Sequence, residues 1–288
     1  PENETETLLT TNFNSIEEIP IDRISRHKSP AHFFKITLSN GRWITVTPEH
    51  PLYVADNGEI ITLEARSVEE GMLMPAPRAL PTRKAALHKK DEVEGLFYGL
   101  QCSEGYSYKS EKHGYAEIGI SNTNPLIYSL AQEVMRTFFE KEPSLHLRSA
   151  ENNAKATKDL ITVRVSSEQG YALLQQKVPE LLHKAPLKRI PQYVKIGSDC
   201  LQRYFLQGFF LGDGFVDQER IGFCSSSRSL AQDLQQVCLQ QSIYSYIETE
   251  QRELAPYYKI VLSGSESLAR FLDLIHPADL EKKKWRYC

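Results

Sequence analysis

Glu104 and Asp213 are the residues of this chain best placed by their surroundings to do chemistry. Each carboxylate stands immediately before a glycine at the end of a helix-sized segment, Asp91 to Gly105 in one case and Asp199 to Gly214 in the other. Two carboxylates brought together offer hard oxygen ligands to a divalent cation, and a cation held there activates water for hydrolysis. The negative dipole ends of two helices would add to cation binding. That chemistry requires the two segments to run side by side. Gly99 and Ser103 lie one turn apart on a face of the first segment, and Gly208 and Gly212 do so on the second, so the backbones can approach closely and the carboxylates meet. Each segment opens on an Asp followed three residues later by Glu94 or Gln202, the pattern of a capping box. Each closes on Gly105 or Gly214, predicted to take a left-handed cap.

One such helix end is an ordinary core feature; the repetition of its context is not. After Gly105 come the strand-like Tyr115–Ile120, a helical run Pro125–Phe139, the strand Leu160–Val165 and a helix beginning at Glu168. After Gly214 come the strand-like Arg220–Cys224, the helical Ser229–Leu239, the strand Tyr257–Leu262 and a helix beginning at Glu266. The pattern predicts two units of helix, strands, helix, strands and helix in one polypeptide, an α+β body with a pseudo-two-fold axis.

The paired segments resemble the LAGLIDADG motif of homing endonucleases. In FYGLQCSEG, from Phe97 to Gly105, the matching positions are Gly99, Glu104 and Gly105, with Gln101, Cys102 and Ser103 departing from the apolar pattern. In LQGFFLGDG, from Leu206 to Gly214, the first, third, sixth, eighth and ninth positions match and the acid is Asp213. The resemblance implies two αββαββα-like repeats, about 91–183 and 184–288, that bind double-stranded DNA. It further implies hydrolysis of phosphodiesters at a long asymmetric site with Mg2+, for which Mn2+ substitutes. Glu104 and Asp213 would then be metal ligands and catalytic acids, one for each strand. The asymmetry of the repeats fits a monomer.

The first 82 residues read as a small all-β module. Asn40-Gly41 separates two alternating stretches, and Asn57-Gly58 separates Pro51–Val54 from Ile60–Leu63, so each is expected to be a two-residue hairpin turn. Within this module Thr47-Pro48-Glu49-His50 resembles the Thr-x-x-His block of inteins, self-splicing elements with a Hint fold; a plain turn is the alternative. Splicing needs a nucleophilic Cys or Ser at one end and a His-Asn pair at the other. The chain as given runs from Pro1 to Cys288, so the resemblance implies a partial Hint module, truncated, split or decayed, in which Thr47 and His50 would polarise a scissile peptide. Residues 83–288 are expected to form the endonuclease domain.

With 288 residues and 41% hydrophobic composition the chain can bury a sizeable core. It has no apolar run near about 18 residues and no charged-then-apolar leader, so no membrane span or export is expected and the location is expected to be cytoplasmic. Five cysteines, Cys102, Cys200, Cys224, Cys238 and Cys288, lack the spacing of a zinc site and are odd in number for a disulfide framework.

The net charge of −3 is not that of a typical DNA binder, and the distribution of charge carries the argument. Acidic residues gather at Glu2, Glu4, Glu6, Glu17 and Glu18. Basic clusters lie at Arg83-Lys84 with Lys89-Lys90, at Lys184 to Lys195, and at Lys282-Lys283-Lys284 with Arg286. Solvated faces are the bland reading of such runs. Lys184-Ala-Pro-Leu-Lys188-Arg-Ile-Pro191 resembles the block that supplies a catalytic lysine in intein endonucleases, which makes Lys188 the candidate. Tyr106, Tyr108, Lys109, Lys184, Arg189 and Lys195 are the expected DNA contacts, to an intein-less host allele. Two alternatives stay open: a splicing element whose degenerate nuclease only binds or nicks DNA, and a non-catalytic DNA-binding regulator.

Overall fold

The computed structural model describes residues 7–110, 112, 114–152, 157–217, 220–253 and 255–275. The chain forms two compact units, residues 1–81 and 82–288.

The first unit is built from three antiparallel hairpins: β1 (Thr7–Thr11) with β2 (Ile16–Pro20), β3 (Phe34–Thr37) with β4 (Trp43–Val46), and β5 (Pro51–Asp56) with β6 (Glu59–Glu64). Its apolar centre is small, consisting of Val46, Leu52 and Ala65 with Phe34, Ile36, Val68 and Met74 against them. Asn57-Gly58 is the expected two-residue turn, with both residues at positive φ (48° and 86°), as the primed turns of hairpins require. Asn40-Gly41 is different. Gly41 N donates to Leu38 O at 2.9 Å and only Gly41, at φ 82°, is left-handed, giving a three-residue loop with a bulge. Asn40 Oδ1 takes the amide of Arg42 at 3.1 Å and stabilises that longer loop. The β1–β2 hairpin, with every described strand residue at least partly exposed, has no periodic apolar signal and was not legible in the sequence.

The second unit holds two αββαββα repeats. The first is α1 (Lys89–Glu104), β7 (Gly105–Ser110), β8 (Tyr115–Asn122), α2 (Pro125–Phe139), β9 (Ser144–Arg148), β10 (Leu160–Ser166) and α3 (Glu168–Lys177). A linker with the single turn α4 (Gln192–Lys195) leads to the second: α5 (Asp199–Asp213), β11 (Gly214–Val216), β12 (Ile221–Ser225), α6 (Arg228–Gln240), β13 (Ser245–Gln251), β14 (Pro256–Leu262) and α7 (Ser265–Leu274). The sheets are antiparallel and share a topology, β7-β8-β10-β9 and β11-β12-β14-β13. One face of each sheet buries residues such as Ile118, Ile120 and Val163, or Phe223 and Ile260, in a core that also takes Phe97, Phe205, Phe209, Phe210 and Phe271. Each such side chain contributes roughly 1.5–3 kcal/mol on leaving water.

The helix starts differ from the expected capping boxes. α5 is capped by Ser198, whose Oγ accepts from Leu201 N at 3.1 Å, and α1 begins two residues ahead of Asp91. Asp91 instead accepts from Ser198 Oγ at 2.9 Å, and Glu94 from Lys177 Nζ at 2.6 Å. The terminal glycines also differ from expectation. Gly105 (φ −92°) and Gly214 (φ −74°) are extended rather than left-handed. Glycine is required there by crowding, because a Cβ would overlap Gln101 in one case and Phe210 in the other.

Candidate active site

The geometry of the site starts from the α1–α5 crossing. A Cβ on Gly208 would lie 2.5 Å from Leu96 O, one on Gly99 would lie 2.6 Å from Phe209 N, and one on Gly95 would lie 2.8 Å from Leu201 O. No side chain fits between such backbones, so small residues fix the approach of the two helices. At the C-terminal end a Cβ on Gly212 would sit 2.5 Å from Ser103 Cβ and 2.8 Å from Glu104 Cγ. Glu104 therefore leans on the residue that precedes Asp213. β7 and β11 start directly after the two acids with no intervening loop, which ties each carboxylate to a sheet edge. Gly95, a third small position in the crossing, was missed in the sequence although it stands one turn before Gly99.

Both carboxylates are half-buried. Asn122 Nδ2, at the end of β8, donates to Glu104 Oε1 at 2.8 Å, while its Oδ1 accepts from Asn124 N at 2.8 Å. Asn124 in turn caps α2 by accepting from Leu126 N. Glu104 is thus indexed to the start of α2 through a residue that carries no sequence motif of its own.

Lys188 comes to the same place. It is 3% exposed, and its Nζ donates to Gln101 O at 2.9 Å, Cys102 O at 3.0 Å and Gly105 O at 2.7 Å. The ammonium thereby closes the C-terminus of α1, where a cation meets the negative dipole end. Burial lowers its pKa from the ordinary lysine value, and the negative charges of Asp213 and Glu104 oppose that shift. Beside Lys188, burial pushes the Cys102 thiol up to about 12, so that side chain is neutral and inert.

The predicted nucleic-acid contacts divide into several groups. Tyr106 and Tyr108 are exposed on the outward face of β7. Tyr106 OH donates to Glu117 Oε1 at 2.6 Å; Glu117 also accepts from Tyr115 OH and pairs with Arg164 at 3.4 Å. Burial raises the Glu117 pKa, but the bonds from Tyr106 and Tyr115 and the charge of Arg164 outweigh it and hold the carboxyl below its usual range. Lys109, one residue out of phase with the tyrosines, turns to the opposite face, its Nζ 5.7 Å from the ring centroid of Tyr171 on α3. Lys184 is exposed.

Arg189 and Lys195 both pair with the buried Asp233, Lys195 from a largely covered position and Arg189 with its side chain half exposed. Arg189 Nε and Nη2 donate to the two oxygens of Asp233 at 3.1 and 3.0 Å, and Lys195 Nζ lies 3.4 Å from the same carboxylate. Asp233 is 3% exposed, and these cations compensate its buried charge. In the first basic cluster, Lys84 pairs with Asp199, Lys89 with Glu92 and Lys90 with Glu94. Lys282, Lys283, Lys284 and Arg286 lie outside the described residues. In the first unit Thr47 and His50 belong to a turn, closed by His50 N donating to Thr47 O at 3.1 Å. A hydrogen bond from Thr47 joins a backbone amide in lowering the Glu49 pKa.

Residues 201–276, which span α5 to α7, match the family model described as LAGLIDADG-like domain. This stretch carries a LAGLIDADG-like domain. The chain is 29% identical over 249 residues to the replication factor C small subunit of Thermococcus kodakarensis, covering 86% of this chain and 26% of that protein. It is 25% identical over 237 residues to the ATP-dependent DNA helicase Hel308 of Methanocaldococcus jannaschii, covering 79% of this chain and 18% of that protein. The chain thus spans about a quarter or less of the length of these curated relatives. Among solved structures, that of I-DmoI in complex with DNA and Ca is similar in fold, with a TM-score of 0.50, 13% identity, and 67% and 98% of the two chains covered.

The donor set fits Mg2+. Among the described residues no group of three or more His, Cys, Asp or Glu is assembled for a metal. One or two carboxylates with water and substrate phosphate are the usual surroundings of Mg2+, and Glu104 and Asp213 offer that pair. The four described cysteines are free, and none joins a cluster suited to zinc. Among the described residues no helix is long and apolar enough to cross a membrane.

Proposed function

We propose that this chain is a site-specific double-stranded DNA endonuclease carried by an intervening protein element, with Glu104 and Asp213 as its catalytic pair. The observation that carries this reading is the convergence of the two helix ends, where Glu104 Cγ leans on Gly212 beside Asp213 and Lys188 feels both charges. Mg2+ or Mn2+, when bound, supplies Lewis-acid stabilisation of the phosphate and of the attacking and leaving oxygens. Glu104 and Asp213 hold that charge and orient one strand each. Asn122 fixes the rotation of Glu104, and Lys188 holds the C-terminal turn of α1 in place while offsetting the repulsion between the acids. The outward faces of the two sheets, with Tyr106 and Tyr108 on the first, lie along the DNA, as antiparallel ribbons do in a major groove. One chain carries both acids, so a monomer suffices.

The intervening-element part of the proposal rests on where similar sequence is found. A replication factor C small subunit and an ATP-dependent DNA helicase are different proteins, yet this chain resembles a minor part of each. A segment shared by proteins of unrelated function behaves as an insertion rather than as part of either activity. Residues 1–81 would then belong to a splicing module, with Thr47 and His50 in its Thr-x-x-His block, and the DNA target would be the uninterrupted host allele.

Incubation of the chain with a supercoiled plasmid library of randomised inserts tests the activity. Linear product with Mg2+, lost in EDTA, is the expected result. Cleavage that persists in EDTA contradicts the metal assignment.

A further inference from the structure

The two halves of the site correspond position by position through their sheet registers. Gly105 faces Ile120, which faces Val163, and Gly214 faces Phe223, which faces Ile260. One step further along, the pair Ser121–Thr162 on the first sheet matches Cys224–Lys259 on the second, and two residues back along β10 and β14 Leu160 matches Tyr257. The chemistry at these matched positions differs. On the first sheet the hydroxyls of Ser121 and Thr162 bond to one another at 2.9 Å, and Leu160 is apolar. At the matched positions of the second sheet stand the thiol of Cys224, the ammonium of Lys259 and the phenol of Tyr257.

Those second-half groups form a connected set. Tyr257 and Cys224 share a hydrogen bond, and the charge of Asp213 reaches the phenol. The Arg252 guanidinium lies 3.7 Å over the Tyr257 ring and donates through Nε to Glu250 Oε1 at 2.9 Å. Lys259 Nζ is 3.1 Å from the other oxygen of Glu250. The Glu250 ion pairs are partly exposed and hold their cations weakly, so Arg252 and Lys259 can exchange that carboxylate for a phosphate at small cost. An ordered donor flanked by two exchangeable cations, next to an acid, suits a phosphodiester oxygen.

We propose that Tyr257, Arg252 and Lys259 form a phosphate-positioning set for the DNA strand served by Asp213, with no counterpart at the matched positions around Glu104, and that this strand is cut first. The inference rests on the nuclease reading above. It makes the two acids unequal: the phosphate at Asp213 meets a tyrosine flanked by Arg252 and Lys259, a combination that Leu160 and Thr162 do not reproduce on the first sheet.

The experiment uses the full chain and a duplex recovered from the cut plasmid library, each strand carrying its own dye, with Mg2+. Asp213→Asn identifies which strand Asp213 serves. Wild-type protein should nick that strand first, and Tyr257→Phe, which keeps the ring, should slow its cutting roughly ten- to a hundredfold while leaving the other strand within about twofold. Arg252→Gln should act on the same strand. Initial nicking of the Glu104 strand, or equal rates on both strands in wild type and both variants, overturns the inference while leaving the nuclease intact. Failure of wild-type protein to cut any library member overturns the nuclease reading and this inference with it.

Discussion

Lys188 Nζ lies 2.7 Å from the carbonyl oxygen of Gly105, the residue that follows Glu104, and its ammonium is covered by protein on nearly all sides. One side chain therefore closes the helix that delivers the first acid and supplies positive charge to both. Lys188→Met should leave three buried carbonyls without that donor and destabilise the second unit by about 3 kcal/mol or more. Urea denaturation followed by circular dichroism measures the loss; an unchanged midpoint would remove the structural role.

The α1–α5 crossing should tolerate no added side-chain atoms. Gly208→Ala places a Cβ 2.5 Å from Leu96 O, against backbone that cannot swing aside, and should cost about 1–3 kcal/mol. Gly264, where a Cβ would meet nothing within 4 Å, is the control for crowding, since Ala there is strained only by its φ of 87°. Thermal melts of the two variants separate crowding from backbone strain. A smaller loss at position 208 than at position 264 would show that the helices are not in backbone contact.

Charge substitutions should sort by whether the cation is anchored. Binding to duplex DNA is expected to weaken about a thousandfold or more between roughly 50 and 200 mM salt if about six phosphates are neutralised. Lys184→Gln should lower the magnitude of the slope of log K against log salt by about one, leaving stability unchanged. Arg189→Gln should do the reverse, because it strips a bidentate partner from buried Asp233. Fluorescence anisotropy across a salt series, paired with a melt of each variant, distinguishes them; identical behaviour of the two variants contradicts the anchoring.

Acid should loosen the first sheet through Glu117. Its folded pKa lies below the ordinary value, so the stability it contributes is present above the unfolded carboxyl pKa of about 4.3 and is lost as pH falls through the lower folded value. Glu117→Gln should flatten the decline in melting temperature below about pH 4, and an equally steep decline in the variant would remove Glu117 as its source.

Much of this was readable from residue order because the signals are local. The helix Pro125–Phe139 is bounded by an Asn-Pro start, and the acids with their small-residue faces follow helix periodicity. What escaped has no local signature. β9 is exposed throughout and β13 mixes apolar with charged residues, so their place in the sheets comes from pairing with β10 and β14. Asn122 and Tyr257 approach the acids only after the strands assemble. The pairing of Arg189 and Lys195 with Asp233 was hidden because Asp233 lies about forty residues away. Gly105 and Gly214 were expected to need an unusual φ, when what they lack room for is a Cβ.

The most direct test of the central claim follows a supercoiled plasmid, bearing a duplex recovered from the cut library, through cleavage by wild-type chain, Glu104→Gln, Asp213→Asn and the double variant. With one acid assigned to each strand, wild-type protein should give linear DNA with Mg2+ and none in EDTA. Each single variant should stop at nicked circles, and the double variant should leave the plasmid supercoiled while still binding it. Linear product from both single variants at the wild-type rate would contradict the assignment of Glu104 and Asp213 as the catalytic pair.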